Sequence, residues 1–371
     1  MEKRKASLRE TLTAAVFIAV IGVFFILNLA VPAPEVLVSE RRTPAKFPEL
    51  SVKTILSGAF MGNFDDYAAD HFVFRDGFRS IRAFMVLDVF LQSDKSGIYR
   101  DKEVGLGEFR KMDETAFRQT AEKIKKAAAS LEDVNVYYSI VPDKSIFAGR
   151  YMPGFDLEKA EGILSGALGG YTYIPLAGTL GADSFYKTDL HWNQPKIGDK
   201  SGGVVNRLLS SMGRDPDMAV RGEKVAGRFR GVYAGQLALP ADADGMGYFD
   251  VSGRAYYLNE KTLQLEEGPV YDFERFSGID PYDFFLRGPQ PLIVLENTAG
   301  DPGRELYLFR DSFGSSLAPL MLGAYSRITL IDLRYLNLQI LGQFVDFTPG
   351  SDALFIYSSQ IFNNPSVLQV H

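Results

Sequence analysis

From Leu12 to Val31 the chain carries an apolar run broken only by Thr13 and Asn28, and Lys3, Arg4, Lys5 and Arg9 precede it. At 1.5 Å per residue, about 20 residues cross roughly the 30 Å of a bilayer core, so the run has membrane-spanning length. Basic residues before it and a long polar chain after it place the amino terminus inside and the remainder outside. A cleaved signal peptide is the rival, because Pro32-Ala33-Pro34 follows. Signal-peptide cores usually run only about 7–15 residues, which favours an uncleaved single-pass anchor in the cell membrane. Both readings export the chain.

The first 32 residues are therefore a cytoplasmic tail and transmembrane anchor. A proline- and charge-rich stalk follows to Pro48, and Phe60 to Leu91 reads as helical on the apolar stripe Phe72, Phe78, Ile81, Phe84, Met85, Leu87 and Phe90. Residues 33–95 form this stalk and helical region, and 96–371 form one domain. In that domain, spacing predicts helices over Glu114–Leu131, Leu157–Leu168 and Lys196–Met212. Strand-like runs fall at Gly97–Tyr99, Val134–Val141, Tyr171–Ile174, Leu292–Glu296, Glu305–Phe309, Arg327–Ile331 and Ala353–Tyr357. Strands alternating with helices imply an α/β domain around a mostly parallel sheet flanked by helices. Gly222 to Phe285, rich in Gly, Tyr and Asp, reads as a loop and hairpin insertion.

Composition narrows the chemistry. A hydrophobic fraction of 46% with 23% charged residues suits a chain that buries a full core. A net charge of -6 with no basic run interleaved with aromatics argues against a nucleic-acid partner. The absence of cysteine removes thiolate nucleophiles, disulfides and Cys-based zinc sites, and the three scattered histidines argue against a His-rich metal centre. Cofactor-free chemistry is the expectation.

Two segments can organise acid-base chemistry on a nucleophile. One is Tyr186 to Trp192, where Asp189 and His191 lie two apart beside the only tryptophan; the other is Leu308 to Gly314, where Ser312 follows an apolar strand and precedes a helix. Ligand sites in open α/β sheets gather at such strand ends, and amides freed there can stabilise an oxyanion. Asp189 would orient His191, and His191 would take the Ser312 proton. The bland alternatives are an N-cap serine and a buried structural Asp and His.

Taken together these segments resemble the DHHW family, an SGNH-hydrolase-like group related to the alginate O-acetylation proteins. The matching residues are Phe47-Pro48-Glu49-Leu50-Ser51, Asp70 to Asp76, Val141-Pro142-Asp143-Lys144, Tyr186 to Trp192, Asp311-Ser312-Phe313-Gly314 and Ile331 to Tyr335. Leu190 departs from the name-giving motif, where the family has His. The resemblance implies an SGNH-like fold and a triad of Ser312, His191 and Asp189, with Leu190 outside it. By the same analogy the Ser312 amide and Asn297 are oxyanion donors, Asn297 having a turn ahead of Gly300 as its plainer role. Trp192 is read as a sugar-stacking platform or as packing, and Lys144 as lining the cleft or a surface turn.

Weaker signals are set aside. Asp183-Ser184-Phe185 mimics the serine motif but follows a Gly-Ala turn, His71 reads as structural, terminal His371 as frayed, and Asp242-Ala243-Asp244-Gly245 lacks the downstream Glu of a calcium loop. The resemblance implies transfer of an acetyl group to or from a cell-surface polysaccharide. Acetyl-CoA is not expected outside the cytoplasm, so a membrane-bound acyltransferase partner is implied. A polysaccharide O-acetyl esterase and a catalytically silent carbohydrate-binding scaffold are the alternatives.

Overall fold

The computed structural model describes residues 7–32, 34–149, 155–199, 202–215, 221–297 and 303–370; Lys3, Arg4, Lys5, Ala33, Gly300 and His371 lie outside them. The chain divides into two compact units, Met1–Gln92 with Gly235–Leu239, and Ser93–Ala234 with Pro240–His371.

The first unit is helical. Helix α1 (Leu8–Ala30) opens on Ser7, which forms a reciprocal capping box with Glu10. It is long and apolar enough to cross a membrane and would also serve as a signal sequence. Helices α2 (Val52–Leu56), α3 (Ala59–Asp70) and α4 (Arg75–Phe84) follow, and α4 runs into a π-helical turn, Met85–Val89. Charge holds them together. Buried Asp70 receives both terminal nitrogens of Arg42 at 2.6 Å, and Glu40 receives Arg75 at 2.9 Å and Arg79 at 2.8 Å. Bidentate geometry of this kind is among the stronger ion-pair arrangements. His71 bonds the Tyr67 carbonyl through Nδ1 at 2.8 Å.

The second unit is an α/β layer structure. It begins with a small antiparallel sheet, β1 (Asp94–Lys95), β2 (Ile98–Asp101) and β3 (Gly105–Glu108). Helix α5 (Glu114–Ala129) starts where Asp113 accepts the Thr115 and Ala116 amides, and it buries Phe117, Ala121, Ile124 and Ala128. Next come β4 (Asn135–Val141), α6 (Leu157–Leu168), β5 (Thr172–Tyr173), α7 (Gln194–Ile197), α8 (Val204–Ser211), β6 (Arg221–Phe229), α9 (Val232–Leu237), β7 (Asp244–Asp250), β8 (Arg254–Asn259), β9 (Gln264–Gly268) and α10 (Phe273–Phe276). The chain continues through β10 (Leu292–Glu296), β11 (Glu305–Arg310), α11 (Phe313–Met321), β12 (Arg327–Ile331), β13 (Asp352–Ser358) and α12 (Ser359–Phe362).

The central sheet has the order β5-β4-β13-β11-β12-β10-β8-β9. From β5 to β12 every pairing is parallel; β10, β8 and β9 add an antiparallel flank. Along β13, Leu354 and Ile356 enter one buried cluster while Ala353, Phe355 and Tyr357 enter the other. Both faces are covered, as a parallel sheet requires.

One expectation is corrected. The helix expected over Lys196–Met212 is two short helices, α7 and α8, because Gly202 takes a φ of +142° and a Cβ at Gly203 would lie 2.6 Å from the Ile197 carbonyl oxygen. The stretch 222–285 contains antiparallel pairs, β6 with β7 and β8 with β9, and β8 also joins the central sheet beside β10.

Candidate active site

Strands β4, β13, β11 and β12 run the same way, so the residues after them gather at one edge of the sheet. Ser312 lies there, at the N-cap position of α11, yet its side chain makes no capping bond. Asp311 does that work. Its Oδ1 accepts the Phe313 amide at 3.0 Å and its Oδ2 accepts the Ser358 amide at 2.8 Å, joining the ends of β11 and β13. The Ser312 hydroxyl is thereby left for another partner, and its Oγ lies 2.8 Å from His191 Nε2. The plain N-cap reading of Ser312 does not hold.

His191 stands on a tight loop rather than on a strand. The loop is closed by a bridge between Phe185 and Trp192 and by the Tyr186 amide donating to the His191 carbonyl at 3.0 Å. Inside it, Asp189 Oδ1 lies 2.7 Å from His191 Nδ1 and accepts the His191 amide at 3.1 Å; Oδ2 accepts the Val232 amide at 2.9 Å. Asp189 is fully buried and His191 is nearly so. An ionised carboxylate only accepts, so Nδ1 carries the proton and Nε2 turns a lone pair toward the Ser312 hydroxyl. Leu190, between them, packs against the hydrophobic core and takes no part in this line.

Several residues not singled out for this role build the loop. Asp244 accepts the Lys187 and Thr188 amides, each at 2.8 Å, and the Thr188 hydroxyl at 2.5 Å. The Gly231 amide donates to Thr188 Oγ1 at 2.7 Å. Only glycine fits at 231, since a Cβ there would lie 2.4 Å from the Cβ of Asp189. Tyr282 lies flat on the His191 ring, centroids 3.7 Å apart and planes 6° apart. Its hydroxyl donates to Ser316 Oγ at 2.8 Å. Burial pushes that phenol well above its ordinary value of 10, so it stays neutral.

Three assigned residues are corrected. Trp192 is fully buried; its Nε1 bonds Ser316 Oγ at 2.8 Å and the Phe313 carbonyl at 3.1 Å, so it packs the histidine's loop onto α11 and offers no sugar-stacking face. Lys144 is buried rather than lining a cleft, and its Nζ donates to the Tyr186 carbonyl at 2.8 Å and the Asp189 carbonyl at 3.0 Å. Burial lowers its pKa from 10.5 to about 8, while the Asp189, Asp143 and Asp244 carboxylates pull the other way. Asn297 is at the wrong edge. It follows β10, which runs antiparallel to β12, and Glu296 pairs with Arg327 at the start of that strand. Glu305 is level with Arg327, whereas Ser312 lies beyond Arg310, so about 16 Å of strand separates the two ends. Asn297 Nδ2 instead donates to the Leu322 carbonyl at 3.1 Å.

Ser184, the mimic, accepts the Gly181 amide on Oγ at 3.0 Å and closes a turn. Among the described residues, no three His, Asp or Glu side chains converge as a metal site would need.

No family model and no curated sequence matches the chain. Solved structures do. A DHHW family protein from Eubacterium siraeum superposes with a TM-score of 0.58 at 15% identity, over 74% of this chain and 94% of that one. Bacillus cereus PatB1 superposes with a TM-score of 0.54 at 16% identity, over 72% of this chain and 97% of its own; a second structure of PatB1, with a sulfonyl adduct, gives 0.54 at 15%, over 72% and 96%. At these identities the likeness is one of fold, and its neighbours include the family that the sequence resembles.

Proposed function

We propose that this α/β chain transfers an acyl group, acetyl in the first instance, to or from hydroxyls of an exported or cell-surface polysaccharide through Ser312, His191 and Asp189. The observation that carries the reading is the hydrogen-bonded line from buried Asp189 through His191 to a serine hydroxyl released from helix capping by Asp311. In the first half-reaction Ser312 Oγ attacks the ester carbonyl of the donor, and its proton passes to His191 Nε2. Asp189 holds the tautomer and stabilises the imidazolium. The oxyanion meets the Ser312 amide, at the first turn of α11 where helix N–H groups have no intrahelical acceptor. Collapse expels the leaving alcohol, which takes the proton from His191. In the second half-reaction His191 deprotonates a sugar hydroxyl, which attacks the acyl-serine and regenerates Ser312. Positioned proton transfer of this kind contributes about 10²- to 10⁴-fold.

The apolar α1 is in keeping with an anchored protein; on this reading the site faces the extracytoplasmic side and a membrane-bound acyltransferase would deliver the acyl group. The test is to incubate the protein with a chromogenic acetyl ester and an oligosaccharide acceptor. Acetylated oligosaccharide, lost in Ser312→Ala, is the expected result. Release of chromogen with no sugar product assigns an esterase, and no turnover at all, with unchanged surface acetylation in cells carrying Ser312→Ala, assigns a silent scaffold.

A further inference from the structure

Helix α4 presents two unlike faces. Phe74, Phe78 and Ile81 recur at intervals of four and three residues and are 65%, 45% and 60% exposed; Phe84, Met85, Phe90 and Leu91 continue the exposed apolar surface through the π-helical turn. On the other side Arg75 and Arg79 are held by Glu40, and Arg79 also donates to the Gly235 carbonyl at 3.0 Å. A contiguous apolar surface of this kind marks a contact with a membrane or a partner.

The membrane is favoured by what α4 touches. Phe24 of α1 stacks on Phe72, with centroids 5.7 Å apart, and lies 5.7 Å from Phe78. Asn28 of α1 accepts the Val73 amide on Oδ1 at 2.9 Å. Phe24 and Asn28 precede the end of α1 at Ala30 by six and two residues, which places these contacts about 3–9 Å below that end. An in-plane amphipathic helix sinks its apolar face to about 5–10 Å. With the end of α1 at the headgroup boundary, the two ranges overlap.

We propose that the apolar face of α4 and of the turn after it lies in the bilayer interface, as a second, in-plane lipid contact beside the spanning helix. The proposal rests on α1 being an uncleaved anchor. Asn28, a polar residue inside the apolar run, then has a defined purpose: it satisfies the backbone at the α3–α4 junction, where water is scarce.

The chain has no cysteine, so a single introduced thiol is unique. The full-length protein is placed in protein-free vesicles of phosphatidylethanolamine and phosphatidylglycerol, with a nitroxide at Ile18→Cys, Phe74→Cys, Ile81→Cys or Asp76→Cys. The collision rate of each label with oxygen and with a water-soluble nickel chelate is read. Ile18 reports on the anchor, and Asp76 lies on the opposite side of α4. Expected are oxygen-to-nickel ratios several-fold higher at positions 74 and 81 than at position 76, approaching that at 18. Equal ratios at 74, 81 and 76 with a high ratio at 18 overturn the interfacial contact and leave the anchor standing, the apolar face then belonging to a protein partner. A low ratio at 18 removes the anchor and the proposal with it.

Discussion

At one edge of the central sheet, β11 runs into α11 and leaves Ser312 with its hydroxyl on His191; at the other, β10 is followed by Asn297, whose side chain holds the Leu322 carbonyl. Both residues follow a short, buried apolar strand of the same sheet, and the strands differ chiefly in direction. Parallel strands deliver their carboxyl ends, and the helix amides after them, to a shared edge. An antiparallel neighbour delivers its end to the far side. The position of a polar residue after a strand therefore assigns chemistry only once the strand's direction is known.

The sharpest way to break this contrast is Ser312→Ala, which should lower acetyl-ester turnover on the order of 10⁴- to 10⁶-fold, measured with a chromogenic ester, as loss of a triad serine does elsewhere. Retention of turnover would make the two edges equivalent. Asp189→Asn should cost about 10³- to 10⁴-fold in kcat by destroying the tautomer that Nδ1 needs, while circular dichroism stays unchanged.

Lys144 sharpens the comparison through pH, because it ties the loop that carries His191 from inside. Its folded pKa of about 8 lies below the unfolded 10.5, so between those values the unfolded chain binds more protons and stability rises with pH. The difference is worth about 3 kcal/mol, absent below pH 8 and complete above 10.5. Buried tyrosines such as Tyr282, held neutral when folded, pull stability the other way near pH 10 in both proteins, so the difference in unfolding free energy between the protein and Lys144→Met should grow in the protein's favour across that window. A parallel pair of curves would mean that Lys144 is not held as described.

Smaller effects separate positioning from chemistry. Tyr282→Leu removes the ring lying on His191 and should lower kcat about two- to tenfold with KM unchanged, whereas Tyr282→Phe keeps the stack and should recover most of the loss. Equal losses in both variants would assign the effect to the Ser316 bond instead. Smallest of all, Asn297→Ala should change kcat less than twofold; an oxyanion donor would cost about 10²- to 10³-fold.

The buried strands were legible because each is an apolar run ended by polar or turn residues, and β4, β10, β11, β12 and β13 all fall within a residue of their expected bounds. The direction of β10 was not legible, because a strand buried on both faces reads the same in either direction. At the site, residues close in sequence were easier to read than those brought in from afar. Asp189 and His191 are two apart, and Ser312 follows its strand. Asp244, Gly231 and Tyr282 come from the stretch 222–285, and only tertiary pairing brings them to the loop. Asp244 stands in a motif that resembles a calcium loop without its glutamate, and its carboxylate receives backbone amides instead. Trp192 stands out in the sequence by its rarity, with packing as one of its two readings; its burial follows from the loop closing against α11.

The central claim is that Ser312 becomes acylated with His191 as its base. Protein mixed briefly with an activated acetyl ester, quenched in acid and digested should yield one acetylated peptide, modified at Ser312, and this should vanish in His191→Ala. Acetylation at Ser184 or at scattered lysines, with Ser312 unmodified, would contradict the account.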